Sequence, residues 1–130
     1  MPRPIQKPVV ALVLALLACS DPTSPRDVEG EWGTTDARLT ITLVSARFET
    51  SCWSGFLAMP FQFKDDGRFT SSGLLGYQGT NPPPQGSTVL ANFSGRVQGN
   101  RMTLVVSPAS LTLGPYEFQR DQSVTLPACP

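Results

Sequence analysis

Short runs in which apolar and polar residues alternate fill most of the chain after residue 30. In residues 38–43, Leu39, Ile41 and Leu43 alternate with Thr40 and Thr42, as expected of a strand with one buried face. Comparable runs occupy residues 47–52, 55–64, 68–72, 87–98, 101–107, 116–120 and 123–126. The pattern predicts an all-β domain of about eight short strands.

Turn-forming residues separate these runs. Asp65-Asp66-Gly67 is a hairpin signal, and Gly99-Asn100 predicts a compact turn. Pro60 predicts a strand edge or bulge because it cannot donate to a ladder, and Gly95 predicts a bulge or bend inside the longest run. Residues 73–86, with several glycines and three consecutive prolines, predict the longest loop.

An antiparallel meander is the simplest arrangement of these runs, with residues 116–120 and 123–126 as its closing hairpin. Closing the meander removes its exposed edges, so we expect an up-and-down β-barrel. A two-sheet β-sandwich built from the same strands is the alternative.

The first residues have a different pattern. Arg3 and Lys7 precede a run of ten apolar residues at 9–18, which is typical of a secretion signal peptide and too short to cross a membrane. Leu16-Leu17-Ala18-Cys19, at the end of this run, resembles the lipobox of bacterial lipoproteins. The resemblance implies that Cys19 becomes an acylated N-terminal residue, carrying palmitate or similar chains. Several acyl chains on one residue would anchor the protein stably to a membrane.

We therefore divide the chain into three parts. Residues 1–18 are the lipoprotein signal peptide, predicted to be helical, and residues 19–29 are a lipidated N-terminus and flexible tether that contains two prolines and no apolar periodicity. Residues 30–130 are the β-barrel domain. The lipobox implies a cell-envelope location anchored by lipid, and Ser20 after the cysteine favours the outer membrane over the inner one.

The three cysteines fit this division. With Cys19 assigned to lipid, Cys52 and Cys129 remain as an even pair in an oxidising compartment, which predicts a disulfide bond. The bond would close a loop of about 78 residues, for which chain entropy gives at most roughly 4–5 kcal/mol. Two free buried thiols are the alternative.

Gly30-Glu31-Trp32, before the first strand, resembles the G-x-W opening of lipocalin-like and avidin-like barrels. In that superfamily the tryptophan plugs one end of the barrel and a late arginine packs over it, which implies this role for Trp32 and Arg120. The chain also resembles a group of small bacterial lipoproteins, many of which begin ACSDPT as residues 18–23 do. The second resemblance implies an architecture and a location but no activity. The motifs that it shares are the two domain cysteines, residues 66–69, 94–97 and 102–104.

Composition excludes several kinds of chemistry. The chain has no histidine, which excludes a Ser-His-Asp triad, a Cys-His dyad and any zinc site with histidine ligands. Cleavage after residue 18 would leave eight basic and ten acidic residues, and the basic residues are scattered singly along the chain. The lack of a basic cluster argues against nucleic acid as a partner. We interpret Asp65 and Asp66 as turn residues, and Glu117 and Asp121 as solvated charges. We therefore expect no catalytic residues, no metal, no cofactor and no enzyme activity.

Two features are candidates for binding. Six of the seven phenylalanines fall on the predicted inner face, where they either line an apolar ligand cavity or, as we favour, fill a small barrel. Leu74, Leu75 and Tyr77 make the predicted 73–86 loop the best candidate binding surface.

Taken together, the sequence predicts a monomeric, lipid-anchored envelope protein acting as a lipocalin-like binding or interaction module. Its partner would be an unknown protein or a small apolar ligand. An envelope protease inhibitor and a structural envelope lipoprotein are the alternatives.

Overall fold

A computed structural model describes residues 28–80, 87–108 and 111–130, and this part of the chain forms one antiparallel sheet of nine strands. The predicted signal peptide, Cys19 and nearly all of the predicted tether lie outside the described residues. The strands are β1 (Gly30–Gly33), β2 (Ala37–Ile41), β3 (Ala46–Thr50), β4 (Trp53–Leu57), β5 (Gln62–Phe63), β6 (Arg68–Tyr77), β7 (Thr88–Gln98), β8 (Arg101–Pro108) and β9 (Leu113–Arg120).

The sheet closes on itself. Its strand order is β4-β3-β2-β1-β9-β8-β7-β6-β5, and β4 also pairs with β6. This last pairing runs from Trp53↔Tyr77 to Leu57↔Gly73 and joins eight strands into a barrel, while β5 pairs with β6 outside the ring. The prediction of an all-β antiparallel barrel is confirmed, and the sandwich alternative is not the architecture seen.

Side chains fill the interior of the barrel. Along β7, buried and exposed positions alternate without exception, as the period of two predicts. Phe48 packs edge-on against Phe93 at 6.0 Å and lies 5.5 Å from Tyr116. Phe48, Phe93, Leu104 and Val106 are each 0% exposed. A ligand-sized void beside these side chains would leave them accessible to a water-sized sphere, so the described interior is packed solid around them.

The prediction of a loop over residues 73–86 is wrong for residues 73–77. Residues 73–77 belong to β6, which pairs with β4 and β7, and residues 81–86 lie outside the described part of the chain. Gly73 lies at the barrel seam, where a Cβ would overlap the carbonyl oxygen of Phe56. This glycine permits close strand approach rather than a turn.

Two other predictions about strands need correction. Residues 55–64 form two strands, β4 and β5, with Pro60 in the connection between them. Gly95 is not a bulge, because the β6–β7 register is continuous through it. A Cβ there would lie 2.6 Å from the Phe69 ring, so this glycine makes room for an aromatic side chain. The irregularity in this region lies between Leu104 and Val106 on β8.

The first predicted strand also ends earlier than expected. β2 stops at Ile41, and Leu43 is 53% exposed instead of pointing inward. Residues 42–45 form the turn, in which the Thr42 amide donates to the Ser45 carbonyl at 2.8 Å.

The end of the chain does not form the predicted closing hairpin. β9 pairs with β8 and with β1, and residues 122–129, called the strap here, then leave the sheet. The strap crosses the outside of the barrel, with Val124 over Gly33 and the Val124 carbonyl accepting from Arg38 Nη1 at 3.3 Å. The predicted Cys52–Cys129 disulfide is present at the end of the strap, with a Cα–Cα distance of 4.8 Å.

Replacing both Cys52 and Cys129 by alanine should lower the free energy of unfolding. The bond links residues 77 apart, and the unfolded chain gains loop entropy without it, so we expect a loss of up to about 4–5 kcal/mol. Urea denaturation followed by circular dichroism measures it. An unchanged denaturation midpoint, with the wild-type cysteines shown to be oxidised, would contradict this expectation.

Candidate functional site

One end of the barrel is closed by the residues that the G-x-W resemblance singled out. The Trp32 side chain is 0% exposed, and its Nε1 donates to the Val28 carbonyl at 2.9 Å. The Arg120 guanidinium lies over the indole, 4.5 Å from the ring centroid, and its Nη1 donates to the Glu29 carbonyl at 3.4 Å. The structure therefore brings Trp32 and Arg120 together at the point where the chain enters the barrel.

This closed end changes the predicted domain boundary. Val28 is fully buried within the hydrophobic core, and Glu29 accepts a hydrogen bond from Arg120. Both residues were expected to lie in the tether. The folded part of the chain therefore includes residues 28 and 29, which precede the predicted start of the domain at residue 30.

The opposite end carries the disulfide and a second aromatic pair. Trp53 is 7% exposed and packs edge-on against Tyr77 at 5.0 Å. Tyr116 lies inside the barrel, where burial raises the pKa of its hydroxyl and the negative charge of Asp36 adds to the rise. These contacts are packing contacts and bring no nucleophile next to a base.

A polar cleft lies between the strap and the outer face of β2 and β3, lined by Arg38, Glu49 and the strap itself. Glu49, on its wall, is paired with two arginines: Arg38 Nη2 lies 2.8 Å from one carboxylate oxygen, and Nε of the neighbouring Arg47 lies 3.2 Å from the other. These two ion pairs occupy both oxygens of the Glu49 carboxylate.

Three of the acidic residues weighed in the sequence take part in turns or local hydrogen bonds. Asp66 lies in the β5–β6 hairpin, where its Oδ2 is 2.6 Å from Arg68 Nε and its Oδ1 accepts from the Arg68 amide. Desolvation alone would raise the pKa of Asp66, but these contacts with Arg68 outweigh it and lower the pKa below its usual value. Glu117 accepts from the Thr103 hydroxyl at 3.2 Å on the outer face, and Asp121 follows β9 in a left-handed conformation with a φ of 60°.

No cluster of three or more His, Cys, Asp or Glu side chains in the described part of the chain could hold a metal ion. No helix among the described residues is long and apolar enough to span a membrane.

The three residues of the predicted binding loop do not form one surface. They alternate along β6, so that Leu75 is fully buried and Leu74 is 54% exposed on the outside. Tyr77 is partly buried and packs on Trp53. Of the three, Leu74 is the one that presents a large apolar side chain to solvent.

Leu74 belongs to an exposed apolar row on the barrel wall that the sequence analysis did not find. Phe56 on β4 is its direct partner on one side and Leu90 on β7 on the other. Phe56 is 60% and Leu90 75% exposed. The Arg47 guanidinium lies 5.7 Å from the centre of the Phe56 ring and extends this outer row onto β3.

A signal for the outer row exists in the sequence. Residues 73–77 and 88–92 each place a leucine where the alternation points outward, at Leu74 and Leu90. The signal becomes visible once residues 73–77 are recognised as a strand. The register that aligns the two leucines with Phe56 comes from the fold alone.

Comparison of the chain with protein-family models, with curated proteins and with solved structures finds no significant match in any of the three.

Replacing Arg120 by methionine should destabilise the closed end. Methionine keeps most of the apolar side chain but removes the charge over the indole and the donor to Glu29. We expect the free energy of unfolding to fall by about 1–2 kcal/mol. The matched control is Arg101→Met, an exposed arginine at the start of β8, which should change it by less than about 0.5 kcal/mol. Equal effects of the two substitutions in urea denaturation would contradict the proposed contact.

Proposed function

We propose that this chain is a lipid-anchored, non-catalytic envelope protein that binds another protein through the outer row of Phe56, Leu74 and Leu90. The observation that carries the protein-binding part is the exposure of three aligned large apolar side chains on adjacent strands. The anchoring part rests on the lipobox resemblance at Cys19.

Because the interior of the barrel is packed, we look for the binding surface on its outside. A small apolar ligand in a lipocalin-like barrel needs a cavity of several hundred Å³, whereas the side chains of Phe48, Phe93 and Leu104 leave no accessible surface inside. Binding by the wall needs no rearrangement of this core. The small-ligand version of the lipocalin-like hypothesis is therefore less favoured than a protein partner.

Phe56 and the adjoining Arg47 are residue types typical of the centre of a protein interface. Aromatic residues and arginine are enriched at such centres, and the row combines Phe56 and Arg47 with two leucines. Polar residues flank it on neighbouring outward positions, with Ser54 and Thr88 on one side and Ser72 on the other. Exposed apolar groups with a polar rim typically mark interaction sites. Three apolar side chains cover much less than the roughly 800 Å² per partner of a standard stable interface, which favours a transient partner.

The anchor is tested by replacing Cys19 with alanine in the full chain, expressed in a bacterial host with labelled palmitate. We expect loss of the label and loss of the protein from the membrane fraction. The double variant Cys52→Ala, Cys129→Ala is the matched control and should keep both. Label retained after Cys19→Ala would overturn the anchoring proposal.

The outer row is tested by photo-crosslinking in intact envelopes. The double variant Leu74→Ser, Leu90→Ser should reduce the yield of a specific crosslinked protein by about tenfold or more, since central apolar contacts dominate binding energies. Leu111→Ser removes an exposed leucine of the described surface outside the row and should leave the yield unchanged. Equal yields from wild type and the double variant would refute the role of the row.

A further inference from the structure

We propose that the β2–β3 turn, residues 42–45, inserts Leu43 and Val44 into the lipid surface to which the chain is anchored. This inference rests on the proposed anchor at Cys19 and adds a second, non-covalent membrane contact. The lipid contact is distinct from the outer row, which lies on the barrel wall.

The turn lies at the end of the barrel where the chain arrives from the anchor. Gly30, the first residue of β1, is the direct partner of Ile41, and the turn continues from Ile41 past the start of β1. Cys19 and Val28 are about nine residues apart, so the connection between them spans at most about 30 Å. The anchor therefore keeps this end of the domain close to the lipid surface.

The turn carries an unusual pair of residues at its tip. Leu43 is 53% and Val44 85% exposed, and Val44 is the most exposed of the large apolar side chains found in the described residues. Turn positions normally favour Gly, Asn, Asp, Ser and Pro. Two hairpin turns at the same end follow that rule, with Asp65, Asp66 and Gly67 in one and Gly99 and Asn100 in the other.

Isolated exposed apolar residues are common on protein surfaces and need no special explanation. Leu43 and Val44, however, are neighbours at the tip of a turn and together form one small apolar surface. Amphipathic helices of membrane-bound proteins bury their apolar side chains about 5–10 Å deep, at the boundary between headgroups and acyl chains. The anchor would hold the tip of this turn within reach of the same boundary.

Hydrogen bonds within the turn satisfy several of its backbone amides, which matters where little water is present. The Thr42 hydroxyl accepts from the amides of Val44 at 3.3 Å and Ser45 at 3.0 Å, and the Thr42 amide donates to the Ser45 carbonyl. The Thr42 and Ser45 hydroxyls also bond to each other at 2.9 Å. Polar backbone groups without partners are costly in a bilayer. These internal bonds satisfy three amides before insertion.

The test places a fluorescent side chain at the tip. The full chain with Val44→Trp is purified in its membrane-anchored form and reconstituted into vesicles of phosphatidylethanolamine and phosphatidylglycerol. Both natural tryptophans are buried, Trp32 at 0% and Trp53 at 7% exposure, so changes in emission report the new indole. Leu90→Trp, at a 75% exposed position on the barrel wall, is the matched control.

We expect a blue shift of the Val44→Trp emission, and lipids that carry a shallow spin label should quench it at least about twofold more than that of Leu90→Trp. Equal quenching of the two variants would overturn the insertion. A blue shift without quenching by the labelled lipid would mean that protein covers the tip, such as a second copy of the chain, and would also overturn it.

Failure of this inference can be told apart from failure of the anchor. If Cys19→Ala releases the protein from membranes while Val44→Trp stays unquenched in the anchored protein, the anchor stands and the insertion is wrong. If Cys19 carries no lipid, both proposals fall together.

Discussion

The close approach of β4 and β6 is the constraint on which the barrel depends. At this seam Gly55 faces the carbonyl of Leu74 and Gly73 faces the carbonyl of Phe56, and a Cβ at either glycine would overlap that oxygen. Without this pairing, β4 would become a free edge and half of β6, residues 73–77, would lose one of its neighbours, and unpaired edges promote aggregation. The absence of two side chains therefore allows eight strands to close. Closure in turn brings the phenylalanine rings together in the interior.

The seam between β1 and β9 is held in a different way. Its register contains only two pairs, Trp32↔Arg120 and Gly33↔Gln119, so the ladder alone gives few hydrogen bonds. The contact of Arg120 with the Trp32 ring adds packing beneath it, and the strap crosses Gly33 on the outside. The disulfide then fixes the far end of the strap to Cys52. A tryptophan, an arginine and a covalent bond together supplement a short ladder.

Alternation of apolar and polar residues was enough to predict the barrel and most of its strands, because β7 and β8 bury every second residue. It failed at residues 73–77, where local rules interpret glycines as turn formers. The need for a glycine at the seam is set by a strand 16 or more residues away in the chain, and a local pattern contains no such information. The strap was missed for a similar reason, since its partners on β1 and β2 lie more than 80 residues earlier.

The same limit explains what could be predicted of the candidate sites. The sequence alone identifies Trp32, Arg120 and the cysteine pair, because a short motif or the residue type is enough to single them out. The structure places the two members of each pair in contact. The alternation shows that Leu74 and Leu90 point outward, but only the register of the strands aligns them with Phe56. With the interior filled, the two exposed apolar features lie apart, the turn of Leu43 and Val44 at the end where the chain arrives and the row on the wall. A domain attached through that end would keep its wall free for a partner beside it, so anchoring and binding need not compete for one surface.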